Sequence, residues 1–340
     1  MMSCAPPSAR LAARLNDLPF LCDGGLETHL VFHEGIDLPA FASFPLLETA
    51  AGRARLERWF ARFIRLATER GVGFIVDTVT WRANADWGAR LGYDAAALSR
   101  INREAVRFAR DLVARYATPD APILVAGIVG PRGDGYRAGR VDVDEAQAYH
   151  APQISTLASA GVDLVCAMTL STVEEAIGIV RAAAAVDVPS AISFTVETDA
   201  RLADGTPLPD AIRWTDAATG SSAAYYMINC AHPSHFAPAL TSGDDGWRAR
   251  IRGVRANAST KSHAELDESE TLDEGDPSDL AERTRALRAH LPRLSIIGGC
   301  CGTGERHIRA ICEGVFAPAP LAGRTTPRTA SRATLHGDPT

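Results

Sequence analysis

Short, continuously apolar or β-branched runs recur along the chain: PFLCD (19–23), VGFIVDT (72–78), PILVAGIVG (122–130), VDLVCAM (162–168), PSAISFTV (189–196), AYYMIN (224–229), IRGVRAN (251–257) and LSIIGG (294–299). They do not alternate polar with apolar, so they predict strands covered on both faces, as in a parallel sheet lying under helices. Longer segments between them carry helical spacing. In RARLERWFARFIRLATERG (53–71) the apolar positions 56, 59, 60, 63, 64 and 67 form one stripe that ends at Gly71. Stretches 94–116 and 143–161 repeat the pattern, and Pro152 is expected to bend or interrupt the second. Segment 171–186 opens with a cap and an acidic first turn, while 276–291 opens with Asp276 as cap and Pro277 in the first turn. Eight strands, each followed by a helix or a helix-sized gap, predict an α/β fold, a single (β/α)8 TIM barrel. The doubly wound alternative lacks its signature, because no G-x-G-x-x-G opens a helix after the first strand.

Composition narrows the class of protein. At 340 residues the chain has room for one such barrel. The expected organisation is an N-terminal extension at 1–17, the barrel over 18–316, and a tail at 317–340 whose Pro-, Thr-, Arg- and Gly-rich composition predicts disorder. A net charge of −6 leaves no footprint for nucleic acid or an anionic membrane, and no apolar stretch approaches the ~20 residues of a span. The opening residues lack the apolar core of a secretory signal, and seven cysteines, odd in number and thinly spread, argue against a disulfide framework. The expectation is a cytoplasmic protein that handles small molecules, with no nucleic acid or membrane partner. A homo-oligomer through the outer helices is compatible with the sequence, which marks no interface.

Chemistry in a barrel gathers at the C-terminal ends of its strands. Those ends read Asp23-Gly24-Gly25, Asp77-Thr78, Met168-Thr169, Thr195 with Glu197, Asn229-Cys230, and Gly299-Cys300-Cys301. Cys22, Cys166 and Cys312 lie inside apolar runs and read as core thiols. Cys230, Cys300 and Cys301 instead fall on one rim, from strands six and eight. Gly298, Gly299 and Gly302 flank the adjacent pair, a setting unsuited to packing but able to turn two consecutive side chains the same way. A redox pair would normally be spaced C-x-x-C, and a vicinal disulfide needs a strained peptide. A thiolate-rich site for zinc is the remaining reading. Three thiolates leave one position open and make zinc a poor source of hydroxide. Such a centre suits the activation of a substrate thiol for attack on a methyl group of a sulfonium or quaternary ammonium donor.

The segments DGGLETHL (23–30), GVDLVCAMTLSTVEEA (161–176), LADGTPL (202–208), INCAHP (228–233) and IIGGCCGT (296–303) resemble the homocysteine S-methyltransferase family over roughly residues 18–315. The resemblance implies a (β/α)8 barrel, Zn²⁺ held by Cys230, Cys300 and Cys301, and methyl transfer to homocysteine from S-methylmethionine, betaine or S-adenosylmethionine, giving methionine. It places Asp23 beside the homocysteine amino group. The substrate-binding candidates are Asp23, Gly24, Glu27, Thr169 and Asn229. One position departs from the family pattern: Met168 stands where a glutamate normally helps bind the substrate amine, and a thioether cannot pair with an ammonium. Asp23 would then act alone, or Glu27 or Glu197 would compensate.

Other rim residues admit two roles. Trp81 and Trp87 are either a cation–π wall for the donor or loop packing. Asp77 reads as a loop-fixing carboxylate. His232 and His235 read as hydrogen-bonding groups, with Pro233 starting a helix that carries His235 away. His29 and His33 share a helix face without other signs of a metal site. Seven acidic residues in 263–277 form either a solvated loop or a lid that attracts cations. The competing functions are a metal-dependent barrel hydrolase, which would need histidine or carboxylate ligands, and a non-catalytic zinc or redox sensor, which would call for a fourth protein ligand. The length leaves no room for cobalamin or folate modules, so neither cofactor is expected.

Overall fold

The computed structural model describes residues 6–137, 139–241, 243 and 245–316. The expected tail at 317–340 therefore lies outside the described residues, as do the first five positions of the expected extension. Eight parallel strands close into a barrel in sequence order. They are β1 (Phe20–Leu21), β2 (Gly73–Asp77), β3 (Ile123–Val129), β4 (Leu164–Leu170), β5 (Ser190–Phe194), β6 (Tyr225–Asn229), β7 (Ile251–Ala256) and β8 (Ile296–Gly299). β1 closes the ring against β8, with Phe20 opposite Ile296 and Leu21 opposite Ile297. The helices are α1 (Pro7–Asp17), α2 (Leu26–Phe32), α3 (Ala50–Arg70), α4 (Ala85–Arg90), α5 (Ala95–Tyr116), α6 (Val143–Ala160), α7 (Val173–Ala184), α8 (Leu208–Thr219), α9 (Pro233–Phe236), α10 (His263–Asp267), α11 (Pro277–Ala286) and α12 (Glu305–Val315). No helix among the described residues is long and apolar enough to cross a membrane.

Every strand expected from an apolar run is present, because strands buried on both faces have to be apolar throughout. The inner core is built from their inward residues, including Phe20, Ile75, Leu124, Ile128, Leu164, Cys166, Met168, Tyr225, Met227 and Ile296. Leu11 and Leu15 of α1 join this cluster, so α1 plugs the N-terminal mouth. Arg252 on β7 holds it there by donating to the Leu15 carbonyl (3.1 Å). The outer core lies between strands and helices; α3 contributes Leu56, Trp59, Phe60, Phe63 and Ile64. Its N-terminus is capped by the Thr49 hydroxyl, and it stops at Gly71 in the left-handed region (φ +62°), as its sequence requires. Of the two outcomes expected at Pro152, interruption does not occur: α6 runs from Val143 to Ala160. Its Asp142 cap and strong packing on α7 outweigh the hydrogen bond that the proline removes.

Candidate active site

The strand ends meet at the C-terminal face. After Asn229 the chain turns at Cys230 with φ +55°, and after Cys301 it turns at Gly302 with φ +74°, a conformation that glycine reaches without strain. Both turns hang on β7: Cys230 N–H donates to Arg255 (3.1 Å) and Cys300 N–H to Ala256 (2.8 Å). The Gly24-Gly25 loop packs directly beneath, where a Cβ at either position would collide with the carbonyl of Thr303 or Cys300. The result is that the sulfurs of Cys230, Cys300 and Cys301 all lie within 4.8 Å of one another, Cys230 and Cys301 at 3.6 Å. All three are free thiols, and Cys22, Cys166 and Cys312 are buried core residues.

The trio shares protons unequally. Hydrogen bonds from Cys300 and then Cys301 hold Cys230 well below the usual thiol range, and Tyr136 adds a third at 3.0 Å. Bonding to the Cys230 sulfur pushes Cys300 up to about 12 and Cys301 well above its ordinary value. Tyr136 packs against His263 with the rings tilted by 43° and their centroids 4.4 Å apart. His263 Nε2 lies 2.7 Å from the Cys230 carbonyl and Nδ1 lies 3.0 Å from Glu197. The other histidines stand apart from the thiols. His232 is an N-cap, its Nδ1 bonded to Ser234, and burial holds its pKa down to about 4. His235 meets the Thr260 carbonyl (2.9 Å), and His29 and His33 pair with Glu34 and Glu274. No histidine joins the sulfur cluster among the described residues.

Below the thiols lies a buried ionic triad. The Arg255 guanidinium on β7 bridges Asp23 after β1 and Asp77 at the end of β2, and its Nε donates to the Gly299 carbonyl (3.2 Å). The other oxygen of Asp23 accepts from the Trp59 indole at 2.7 Å. Burial nevertheless pushes Asp23 up to about 7, against the pull of Arg255, and raises Asp77 in the same direction. The loop-fixing carboxylate expected at Asp77 is thus one arm of this triad. Glu27, in the first turn of α2, accepts from the Ser43 hydroxyl (2.7 Å), and burial raises its pKa. Met168 is buried, its sulfur 3.4 Å from Cys166. Thr169 adopts φ +65°, costly for a β-branched residue, and is clamped there by Asn229. Asn229 accepts from the Thr169 N–H (2.9 Å) and the Ser193 hydroxyl (2.7 Å), and donates to the Thr169 hydroxyl (2.9 Å).

These groups line a cavity of about 520 Å³ that contains all five substrate-binding candidates and the three thiols. Its wall is acidic: Asp23, Glu27, Asp77, Asp134, Asp267 and Asp273 face Arg82 and Arg255. The acidic stretch after β7 supplies part of that wall, anchored by His263 and by the Ser259–Asp273 hydrogen bond (2.7 Å). The tryptophans hold a cation already, because Arg82 lies 3.8 Å from the ring centroids of both Trp81 and Trp87. Of the two rings, Trp81 lines the cavity. Arg255, Tyr136, His263 and Trp59 were not singled out from the sequence. Only Arg255 left a signal there, as a charge inside a strand otherwise destined for burial.

The family model described as homocysteine S-methyltransferase matches residues 20–315. A homocysteine S-methyltransferase from Escherichia coli (strain K12) is 34% identical over 146 residues, covering 40% of this chain and 47% of its own length. The homocysteine S-methyltransferase YbgG of Bacillus subtilis (strain 168) is 28% identical over 202 residues, covering 55% and 60% respectively. The chain thus spans about half the length of the curated relatives it matches. Crystal structures of the homocysteine methyltransferase MmuM from Escherichia coli share the barrel. The oxidized form aligns with TM-score 0.70 at 23% identity over 91% of this chain and 99% of that one. The metallated form aligns with TM-score 0.67 at 24% identity over 90% and 99%.

Proposed function

The chain belongs to the homocysteine S-methyltransferase family, and from that premise we propose that it transfers a methyl group from a sulfonium or quaternary ammonium donor to the thiolate of homocysteine or a related thiol, at zinc held by Cys230, Cys300 and Cys301. The observation that carries the reading is the convergence of three sulfurs from two strand ends at the head of a cavity. The donor set fits the metal. Tetrahedral zinc with Zn–S near 2.3 Å separates its sulfurs by about 3.8 Å, and Cys230 and Cys301 already stand 3.6 Å apart. All three donors are thiols, the ligands zinc favours over harder cations. Bound there, zinc would supply Lewis acidity that lowers the pKa of the acceptor thiol while leaving its sulfur nucleophilic.

The rest of the reaction falls to the chain's own residues. Tyr136 and His263 fix Cys230, one through its sulfur and one through its carbonyl. The acidic wall favours a cationic donor, and the cavity has room for donor and acceptor together. In the transfer, a carbon–sulfur bond forms on the acceptor as the donor's bond to the same methyl carbon breaks. The donor leaves with the bonding electron pair and loses its positive charge, while the acceptor's thiol proton passes to solvent water. Alignment of the two in one cavity is the main source of rate. The free thiols suit a reducing compartment such as the cytoplasm. The test is methionine formation from homocysteine with S-methylmethionine, betaine or S-adenosylmethionine as donor. Turnover with at least one donor, abolished in Cys230→Ser, is expected; no turnover by zinc-loaded protein with any of the three would overturn the reading.

A further inference from the structure

The carboxylates around the thiols are not equivalent. Asp23 has one oxygen on Arg255 and the other on Trp59, so a cation and an indole of the protein already surround it. Asp77 is held by the same guanidinium. Position 168 offers no charge, because Met168 carries a thioether, which is buried with its sulfur 3.4 Å from Cys166. Glu27 is different. It lines the cavity, one oxygen takes the Ser43 hydroxyl, and it enters no ion pair among the described residues. It lies within electrostatic reach of both Cys300 and Arg255, in the first turn of α2, whose N-cap Gly25 packs so close to the Cys300 carbonyl that a Cβ there would collide with it. A carboxylate so placed, without a cation of its own, is available to an ammonium a few bonds from a sulfur seated at the thiol cluster.

We propose that Glu27, not Asp23, receives the ammonium of the acceptor, that Arg255 has taken the cation's place at Asp23, and that the acceptor class is therefore an aminothiol. This rests on the reading of the cavity as a thiol-acceptor site. The burial that raises Glu27 means that a cation beside it regains what solvent has lost, which favours a matched ammonium over a neutral group.

The experiment uses the full chain loaded with cobalt(II), whose visible spectrum reports a thiol joining the metal. Homocysteine and 4-mercaptobutyrate, the same thiol without the amine, are titrated into the wild type, Glu27→Gln and Glu27→Asp. The wild type is expected to prefer homocysteine by roughly ten- to hundredfold, as one charge-assisted contact implies. Glu27→Gln should bring the two thiols to about equal affinity, and Glu27→Asp should restore part of the preference. An undiminished preference in Glu27→Gln, or none in the wild type, overturns the assignment. If cobalt binds but neither thiol changes its spectrum, the thiol-acceptor reading itself falls, and the assignment with it.

Discussion

Replacing Arg255 by methionine tests the ionic triad beneath the thiols. The methionine fills much of the same volume but leaves Asp23 and Asp77, whose side chains are 5% and 15% exposed, facing each other with no cation between them. It also strips the Gly299 carbonyl of its donor. Removing one member of a buried ion pair costs about 3–5 kcal/mol, because the remaining charge stays desolvated. The loss should depend on pH in a defined direction. Burial already raises Asp23 to about 7, with Arg255 the main force opposing it, so without Arg255 both carboxyls rise further. An acid whose folded pKa exceeds its unfolded value binds more protons when folded. Its stability contribution is complete below the unfolded value of 3.8 and is lost as pH rises through the folded one. The deficit of Arg255→Met, read from urea unfolding at matched zinc saturation, should therefore be large near about pH 8 and shrink towards about pH 5. Adding Asp23→Asn and Asp77→Asn should recover most of it. A deficit below about 1 kcal/mol, or one equal at both pH values, would refute the claim that the guanidinium compensates two buried charges.

Serine at Cys230, Cys300 or Cys301 should each abolish stoichiometric zinc binding, measured by metal analysis after gel filtration, since the three sulfurs form one cluster. Metal uptake should release protons, because Cys300 and Cys301 are held above the ordinary thiol range by their bonds to the Cys230 sulfur; zinc affinity should then climb as pH rises, followed with an indicator dye and chelator competition, and an affinity that does not change with pH would contradict this. Tyr136→Phe removes the 3.0 Å hydrogen bond to the Cys230 sulfur, and should weaken zinc about tenfold with stoichiometry preserved.

The eight strands were legible because barrel strands covered on both faces must be apolar from end to end, and 251–257 reads as a strand even with two arginines in it. The thiols were legible for a related reason: once strand ends are known, the barrel puts them on one rim. The helices at α1, α8 and α12 were not singled out. α1 buries only Leu11 and Leu15, so its periodic stripe is short. What no local pattern could show is which charges meet. Arg255 is 232 positions from Asp23 and 178 from Asp77, and only closure of the barrel brings β1, β2 and β7 together at one level. Tyr136 reaches Cys230 across 94 positions from a glycine-rich loop. The same limit applies to the tryptophans: the sequence leaves Trp81 and Trp87 open to two roles, and only the folded chain shows that Arg82 lies against both rings.

X-ray absorption at the zinc edge, on the zinc-loaded chain with and without homocysteine, bears most directly on the central claim. The account predicts three sulfur scatterers plus one lighter atom in the protein alone, and four sulfurs once homocysteine is added. A nitrogen- or oxygen-dominated first shell, or a sulfur count that homocysteine leaves unchanged, would contradict it.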